Sequence, residues 1–339
     1  MASDLTNRVH GGPDTSGAAP WDFSTCANAC GPCPDTLEAV RGADPVRYPD
    51  PSGTALRERL AQLHGVAPQR ILLAASASEF IQRVTAVSTR LLPGPVRLPR
   101  HAYGDYAAAA AACDRAIQRE GHDATQPTLR WCADPSSPRG EDALPPRDPA
   151  SIPTVLDAVY APLRLQGTGH WGEAERAAVF VLHSPNKALG LCGVRGAYAV
   201  APSEAAWDVE VWCHALEAAA PSWPLSAQGV AMLASWTQPR TQQWVWDTHA
   251  RLQAWKDELA RMLRDREFTV DPNSTPFFCV QPSQRAKRPT IDPAALRRQG
   301  VAVRDASSFG LPGWWRVSAQ PPEGIAALAK AMDALARAW

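Results

Sequence analysis

The chain has 339 residues, 45% hydrophobic and 20% charged, an ordinary globular composition with material for one or two cores. Lys and Arg number 34, as do Asp and Glu, so no global field recruits nucleic acid or an anionic membrane. No apolar run approaches the roughly 20 residues that span a bilayer, and MASDLTNRVHGGPD lacks a signal peptide's apolar segment. A cytoplasmic chain with eight reduced cysteines is the expectation.

Residues 1–35 show little periodicity and read as an irregular arm. Within it Cys26, Cys30 and Cys33 stand at C-x3-C-x2-C spacing, a pattern that could hold three irons of a four-iron cluster. Against a radical enzyme, the triplet precedes any clear strand rather than following the first strand of a barrel. Leu56, Leu60 and Leu63 then recur on one face of a helix over 54–66. RILLAAS (70–76) predicts a buried strand, and a helix restarts over 78–92. Strands at 96–100 and 128–134 flank a helix at 103–119, and 154–160 and 177–184 are apolar runs that end in polar residues. This alternation predicts an α/β domain with a mostly parallel sheet. Ligands gather at the carboxyl ends of such strands, which brings Asp157, Tyr160 and Ser184 to one site.

After residue 200 the pattern changes. Helices are expected at 203–219 and 240–265, the latter studded with Trp244, Trp246 and Trp255. Strands at 275–282, 301–307 and 314–320 suit a smaller sheet, and 323–339 is an amphipathic helix. The expected organisation is an arm over 1–40 beside the site, a large domain over 41–229 and a small α+β domain over 230–339.

The segment HSPNKALGLCGVRGAYAV (183–200) sets Lys187 between a strand end and a glycine-spaced loop, with Arg195 eight residues on. Upstream, LDAVY supplies Asp157 at a neighbouring strand end. Pyridoxal phosphate needs that pairing: a lysine for a Schiff base and a carboxylate for its pyridinium nitrogen. The SASE turn (76–79) at a helix N-terminus offers backbone N–H groups to the phosphate, and Arg195 and Ser184 complete the cradle. No G-x-G-x-x-G, H-E-x-x-H or paired C-x-x-C zinc pattern occurs, so no metal is expected.

With these residues in place, the sequence resembles the fold-type I pyridoxal-phosphate enzymes of the class I/II aminotransferase superfamily. Within it, the chain is most similar to the histidinol-phosphate aminotransferase and threonine-phosphate decarboxylase branch. HGG (10–12), DFST (22–25), RYPDPSGTALRERLAQLHGV (47–66), DPSSPRG (134–140) and VRDASSFGLPGWWRVS (303–318) carry the resemblance in order along nearly the whole chain. It implies an aspartate aminotransferase-like fold and a homodimer with sites at its interface.

The resemblance also assigns roles. Lys187 becomes the cofactor-bearing lysine, Asp157 pairs with the pyridinium nitrogen, and Tyr160 donates to the phenolic oxygen. Tyr103 stacks on the ring, Ala77, Ser78, Ser184 and Arg195 hold the phosphate, and Tyr48 reaches the phosphate of the neighbouring subunit. Arg316 takes the substrate carboxylate, while Arg304, His10 and Asn28 line the side-chain pocket. Three departures stand out: Ser137 replaces the asparagine expected at the phenolic oxygen, Asn186 precedes the lysine, and the proline-rich 140–154 is too short for a helix usual there. The C-x3-C-x2-C triplet falls in a substrate-side loop, with Cys26 at one of its asparagine positions.

The function implied is transamination of a small amino acid or amine, with or without a phosphate. The same residues serve a second outcome, decarboxylation like that of L-threonine-O-3-phosphate decarboxylase, toward which the HGG opening leans. A third is a non-catalytic protein that binds the cofactor through Lys187.

Overall fold

The computed structural model describes residues 9–120, 126–271, 273–282 and 291–337. The chain enters through β1 (Trp21–Asp22), α1 (Pro34–Arg41) and α2 (Thr54–His64). It continues through β2 (Ile71–Ala74), α3 (Ala77–Leu91), β3 (Val96–Leu98), α4 (Gly104–Ala112) and β4 (Ile117–Arg119). Then follow β5 (Leu129–Ala133), β6 (Thr154–Asp157), α5 (Glu173–Ala177), β7 (Phe180–His183) and β8 (Ala197–Val200). The second half holds α6 (Val209–Ala218), α7 (Ala227–Trp236), α8 (Pro239–Arg264), β9 (Phe268–Val270) and β10 (Phe277–Pro282). It closes with α9 (Pro293–Arg298), β11 (Val301–Ala302), β12 (Arg304–Asp305), β13 (Trp315–Ser318) and α10 (Pro322–Arg337).

Seven strands form one sheet in the order β2-β8-β7-β6-β5-β3-β4. All neighbours pair in parallel except β8, which is antiparallel to both β2 and β7. The predicted mostly parallel α/β architecture is therefore present. Successive residues of β6 belong to different cores, with Leu156 beside Val181, Leu60 and Trp236, and Val155 beside Phe180, Phe80 and Trp131. That period-2 alternation explains why these strands read as continuous apolar runs: helices cover both faces.

A second sheet, β12-β13-β10-β9, is antiparallel throughout. Its core joins Phe278, Val280 and Val317 to Leu259 and Leu263 of α8 and Leu328 and Met332 of α10. Phe23 of the arm is fully buried in the same core. The arm is anchored by β1, which pairs in parallel with β11 (Trp21 with Val301, Asp22 with Ala302), and by Ser318 N–H donating to Phe23 O at 3.0 Å.

The helix expected over 203–219 begins only at Val209, and two further element expectations change. The helix read over 103–119 ends at Ala112, because Asp114 adopts a left-handed φ of 53° that stops the helix. Ile117–Arg119 then forms the edge strand β4. The strand read over 301–307 divides into β11, β12 and a 3-10 turn at Ser307–Phe309. No helix occurs between 140 and 153, in line with the short proline-rich reading of that segment. Among the described residues no helix is long and apolar enough to cross a membrane.

Candidate active site

A cavity of about 760 Å³ opens where β5, β6 and β7 end and where α3 and α4 begin. The arm and the second sheet close its other side through Ser24, Thr25, Cys26, Arg304 and Arg316.

At the floor, Asp157 is the last residue of β6 and lines the cavity. Its Oδ1 accepts from Val159 N–H at 3.0 Å and its Oδ2 from Tyr106 O–H at 2.5 Å. Part of the side chain stays open to the cavity, yet the enclosure pushes the carboxyl above the usual carboxylate range, against the pull of those two donors and of Lys187. Three residues on, the ring of Tyr160 lies against Phe277, with ring centroids 4.6 Å apart. Burial raises its phenol well above the ordinary tyrosine range.

Lys187 follows β7, and its Nζ stands 5.4 Å from the Tyr160 ring centroid with no hydrogen bond or ion pair among the described residues. The loop that carries it is pinned from behind. Asn28 N–H donates to Lys187 O at 2.9 Å, and Asn28 Nδ2 donates to Ala188 O and Thr248 Oγ1, both at 3.0 Å. Asn28 Oδ1 accepts from Cys30 N–H at 3.0 Å. Both amide hydrogens of Asn28 are thus spent on holding the lysine loop and Thr248, and Asn28 does not line the cavity, which differs from its expected place in the substrate pocket.

One end of the cavity is built for an anion. Ala77 and Ser78 open α3, where the first backbone N–H groups have no intrahelical acceptor. Ser76 caps the helix by accepting from Glu79 N–H at 3.1 Å. Ser184 Oγ lies 3.1 Å from Gly196 O and 3.2 Å from Asn186 Oδ1. Arg195 is exposed at the same end and makes no hydrogen bond or ion pair among the described residues.

Tyr103 precedes α4 and its hydroxyl sits 3.4 Å from Ser78 Oγ. Burial and the nearby Asp105 push its phenol up to about 12.

The opposite wall is cationic. Arg316 is buried on β13, donating through Nη1 to Ser137 Oγ at 3.2 Å and through Nη2 to Ser24 O at 3.0 Å. Arg304 on β12 donates to Asp305 O, to Val9 O at 2.6 Å and to Ser308 Oγ at 2.7 Å. Burial and the neighbouring Arg316 lower its guanidinium to about 10. Both guanidinium groups lie near the Phe309 ring, at 5.3 Å and 4.8 Å, and each keeps a buried Nε without an acceptor. Neither forms an ion pair with a carboxylate among the described residues. His10 lines the mouth, its Nε2 3.9 Å from Asp105 Oδ1.

Tyr48 is 78% exposed, stacked on Trp223 with centroids 4.5 Å apart, and does not line this chain's cavity. Of the cysteine triplet, only Cys26 reaches the cavity, and burial raises its thiol against the pull of Arg316 and Lys187. Among the described residues no three metal-ligating side chains converge. The sequence reading missed Tyr106 and Phe309. For Tyr106 the signal was its i,i+3 spacing from Tyr103 at a helix start, which puts both on one face.

The sequence profile of the family described as "Aminotransferase class I and II" matches residues 149–332. A histidinol-phosphate aminotransferase of Jannaschia sp. (strain CCS1) is 26% identical over 95% of this chain and 92% of its own length. Among solved structures, the histidinol-phosphate aminotransferase of Sinorhizobium meliloti in complex with pyridoxal-5′-phosphate is similar with a TM-score of 0.73. That match has 19% identity and covers 92% of this chain and 89% of that one. L-threonine-O-3-phosphate decarboxylase of Porphyromonas gingivalis is similar with a TM-score of 0.68, again at 19% identity, over 88% and 92% of the two chains.

Proposed function

The chain belongs to the class I and II aminotransferase family, and from that premise we propose that it is a pyridoxal-phosphate-dependent aminotransferase whose working lysine is Lys187. The observation that carries this reading is the convergence in one cavity of an unpaired lysine, a strand-end carboxylate and a helix N-terminus beside a free arginine. These groups fit the cofactor. The start of α3, Ser78, Ser184 and Arg195 suit a phosphate, and each oxygen of Asp157 has only one donor and so retains capacity for a ring N–H. Tyr160 suits a phenolic oxygen, Tyr103 the ring face, and Ser137 the edge near Arg316. When bound, pyridoxal phosphate supplies an aldehyde that condenses with amines and a protonated ring that draws electrons from the substrate's α-carbon.

The chain's own residues do the rest. Lys187 would hold the cofactor's aldehyde, and its amine, free when substrate is bound, would take the proton from the α-carbon and pass it to the cofactor carbon that bore the aldehyde. Asp157 keeps a negative charge against the ring nitrogen. Arg316 takes the substrate α-carboxylate through its unpaired Nε. The second guanidinium, Arg304, and His10 at the mouth support a small substrate with an anionic side-chain group, a phosphate or a carboxylate.

In the dimer we propose, Tyr48 leaves its own subunit and reaches the phosphate of the partner's site, which accounts for a tyrosine held outward on Trp223. Sedimentation velocity should give twice the mass of one chain, and a monomer that is fully active would sink this arrangement. The division into an arm over 1–40, a large domain over 41–229 and a small one over 230–339 is supported by the two sheets. The long helix α8 contributes to both cores, through Val245 and Leu252 to one and Leu259 and Leu263 to the other.

Purified protein should absorb in the visible, and borohydride reduction should fix the cofactor on Lys187. A Lys187→Ala protein that still forms the reduced adduct would refute the assignment. Single amino acids, with and without a side-chain phosphate, should yield keto acid; carbon dioxide without keto acid would replace transamination by decarboxylation.

A further inference from the structure

We propose that Tyr106 is a positioning residue for this site: its hydroxyl holds the Asp157 carboxylate that would face the cofactor's ring nitrogen. The inference rests on the cofactor reading above. Tyr106 is 1% exposed, and its O–H donates to Asp157 Oδ2 at 2.5 Å while Val159 N–H fixes Oδ1 at 3.0 Å. One donor on each oxygen sets the carboxylate plane. The phenol ring is itself immobilised: it stacks on Trp131 of β5 at 4.4 Å and 11°, and Tyr103 meets it edge-on at 5.8 Å and 84°. Trp131 pairs with Val155 in the adjacent strand β6, so phenol, indole and carboxylate share one rigid frame.

The direction of the hydrogen bond is fixed by chemistry. Burial and the Asp157 charge raise the Tyr106 phenol well above its ordinary range, so it stays protonated and can only donate to the carboxylate. A donor of that kind favours the charged form of Asp157, opposing an enclosure that favours the neutral acid. A neutral acid would offer the ring nitrogen no charge. Tyr106 thereby acts on the cofactor through Asp157, without needing to touch it. The other titratable groups around this pair are Lys187 after β7, Tyr160 after β6 and Tyr103 before α4 near Asp157, and Cys132 on β5 near Tyr106.

The test uses Tyr106→Phe, which keeps the stacked ring and removes only the hydroxyl. Binding of pyridoxal phosphate to the apoprotein is followed by tryptophan fluorescence between pH 5 and 9. Losing a hydrogen bond to a charged group should weaken binding roughly 10-fold or more at neutral pH. It should also move the acid-side inflection to higher pH. In an Asp157→Asn background the same change should have no further effect, because the partner through which it acts is gone. If circular dichroism shows that Tyr106→Phe does not fold, Tyr106→3-fluorotyrosine replaces it. Its more acidic phenol donates more strongly and should move the inflection to lower pH. Unchanged pH profiles, or losses that simply add in the double variant, would overturn the role of Tyr106 alone. A parent protein that takes up no pyridoxal phosphate would overturn the cofactor reading as well.

Discussion

Arg304 and Arg316 stand on adjacent strands, in direct register, and both guanidinium groups lie near the Phe309 ring. Two buried like charges with no carboxylate partner repel each other and are costly to leave uncompensated, so the pair is poised for a bound anion. Arg316→Lys tests which part of that matters. Lysine keeps the charge but lacks the fork that serves Ser137, Ser24 and a ligand together. The KM for the amino acid should rise about 10- to 100-fold, the effect of losing one charge-assisted bond, with cofactor affinity unchanged. An unaltered KM would mean that Arg316 serves only the wall. At this scale sequence reasoning was least safe for residues that act on their neighbours. Asn28, expected to touch substrate, instead spends its amide hydrogens on Ala188 of the lysine loop and Thr248 of α8, contacts across 160 and 220 positions that spacing cannot reveal.

The elements that were easiest to read are those buried on both faces. Ile71–Ala74, Leu129–Ala133, Thr154–Asp157 and Phe180–His183 are short apolar runs with polar ends, and each is a strand that stops at or near the cavity. Ala197–Val200 carries the same signature, AYAV, but it follows the glycine-spaced loop and reads as part of the lysine motif. Its antiparallel placement between β2 and β7 depends on pairing that no local signal encodes. The helix over-read to residue 119 failed for the opposite reason. An alanine run carries high helix propensity and no stop signal, and the stop comes from Asp114 in a left-handed conformation, where glycine or asparagine would have been the usual flag. Short pieces such as β1 and β12 have no pattern of their own and exist because their partners do.

The whole molecule carries a pH dependence that does not involve the cavity. His64, at the end of α2, packs at a tilt of 36° against His183 of β7, centroids 4.7 Å apart, and both rings lie against Tyr198. The Tyr198 hydroxyl oxygen accepts from Trp236 Nε1–H at 3.2 Å and lies 2.8 Å from His64 Nε2, a geometry that suits a neutral imidazole accepting a hydrogen bond from the hydroxyl. Burial, with the charge of Arg176 nearby, lowers His64 to about 4 from an ordinary 6.5, and His183 falls well below its usual value. Lowered histidines bind fewer protons folded than unfolded. Their contribution is therefore complete above pH 6.5 and is lost as the pH falls from there toward 4. The slope for a fully buried group is at most about 1.4 kcal/mol per pH unit, and less for His64, which keeps some surface in water. Urea midpoints should drop between pH 7 and 4.5, and His64→Gln should flatten part of that drop. Equal slopes for the two proteins would remove His64 from the account.

The arm that closes the cavity also has a history within each molecule. Asp22 pairs with Ala302, a partner that leaves the ribosome about 280 residues later. At a synthesis rate of about 5–20 residues per second, the segment that delivers Ser24, Thr25 and Cys26 to the cavity waits roughly 15–60 s for its seat. For most of that interval Phe23, fully buried in the finished core, lacks its buried core partners, which begin at Leu259. A segment made early is thus seated late, and the cavity stays unclosed on that side until Val301–Ala302 has been released.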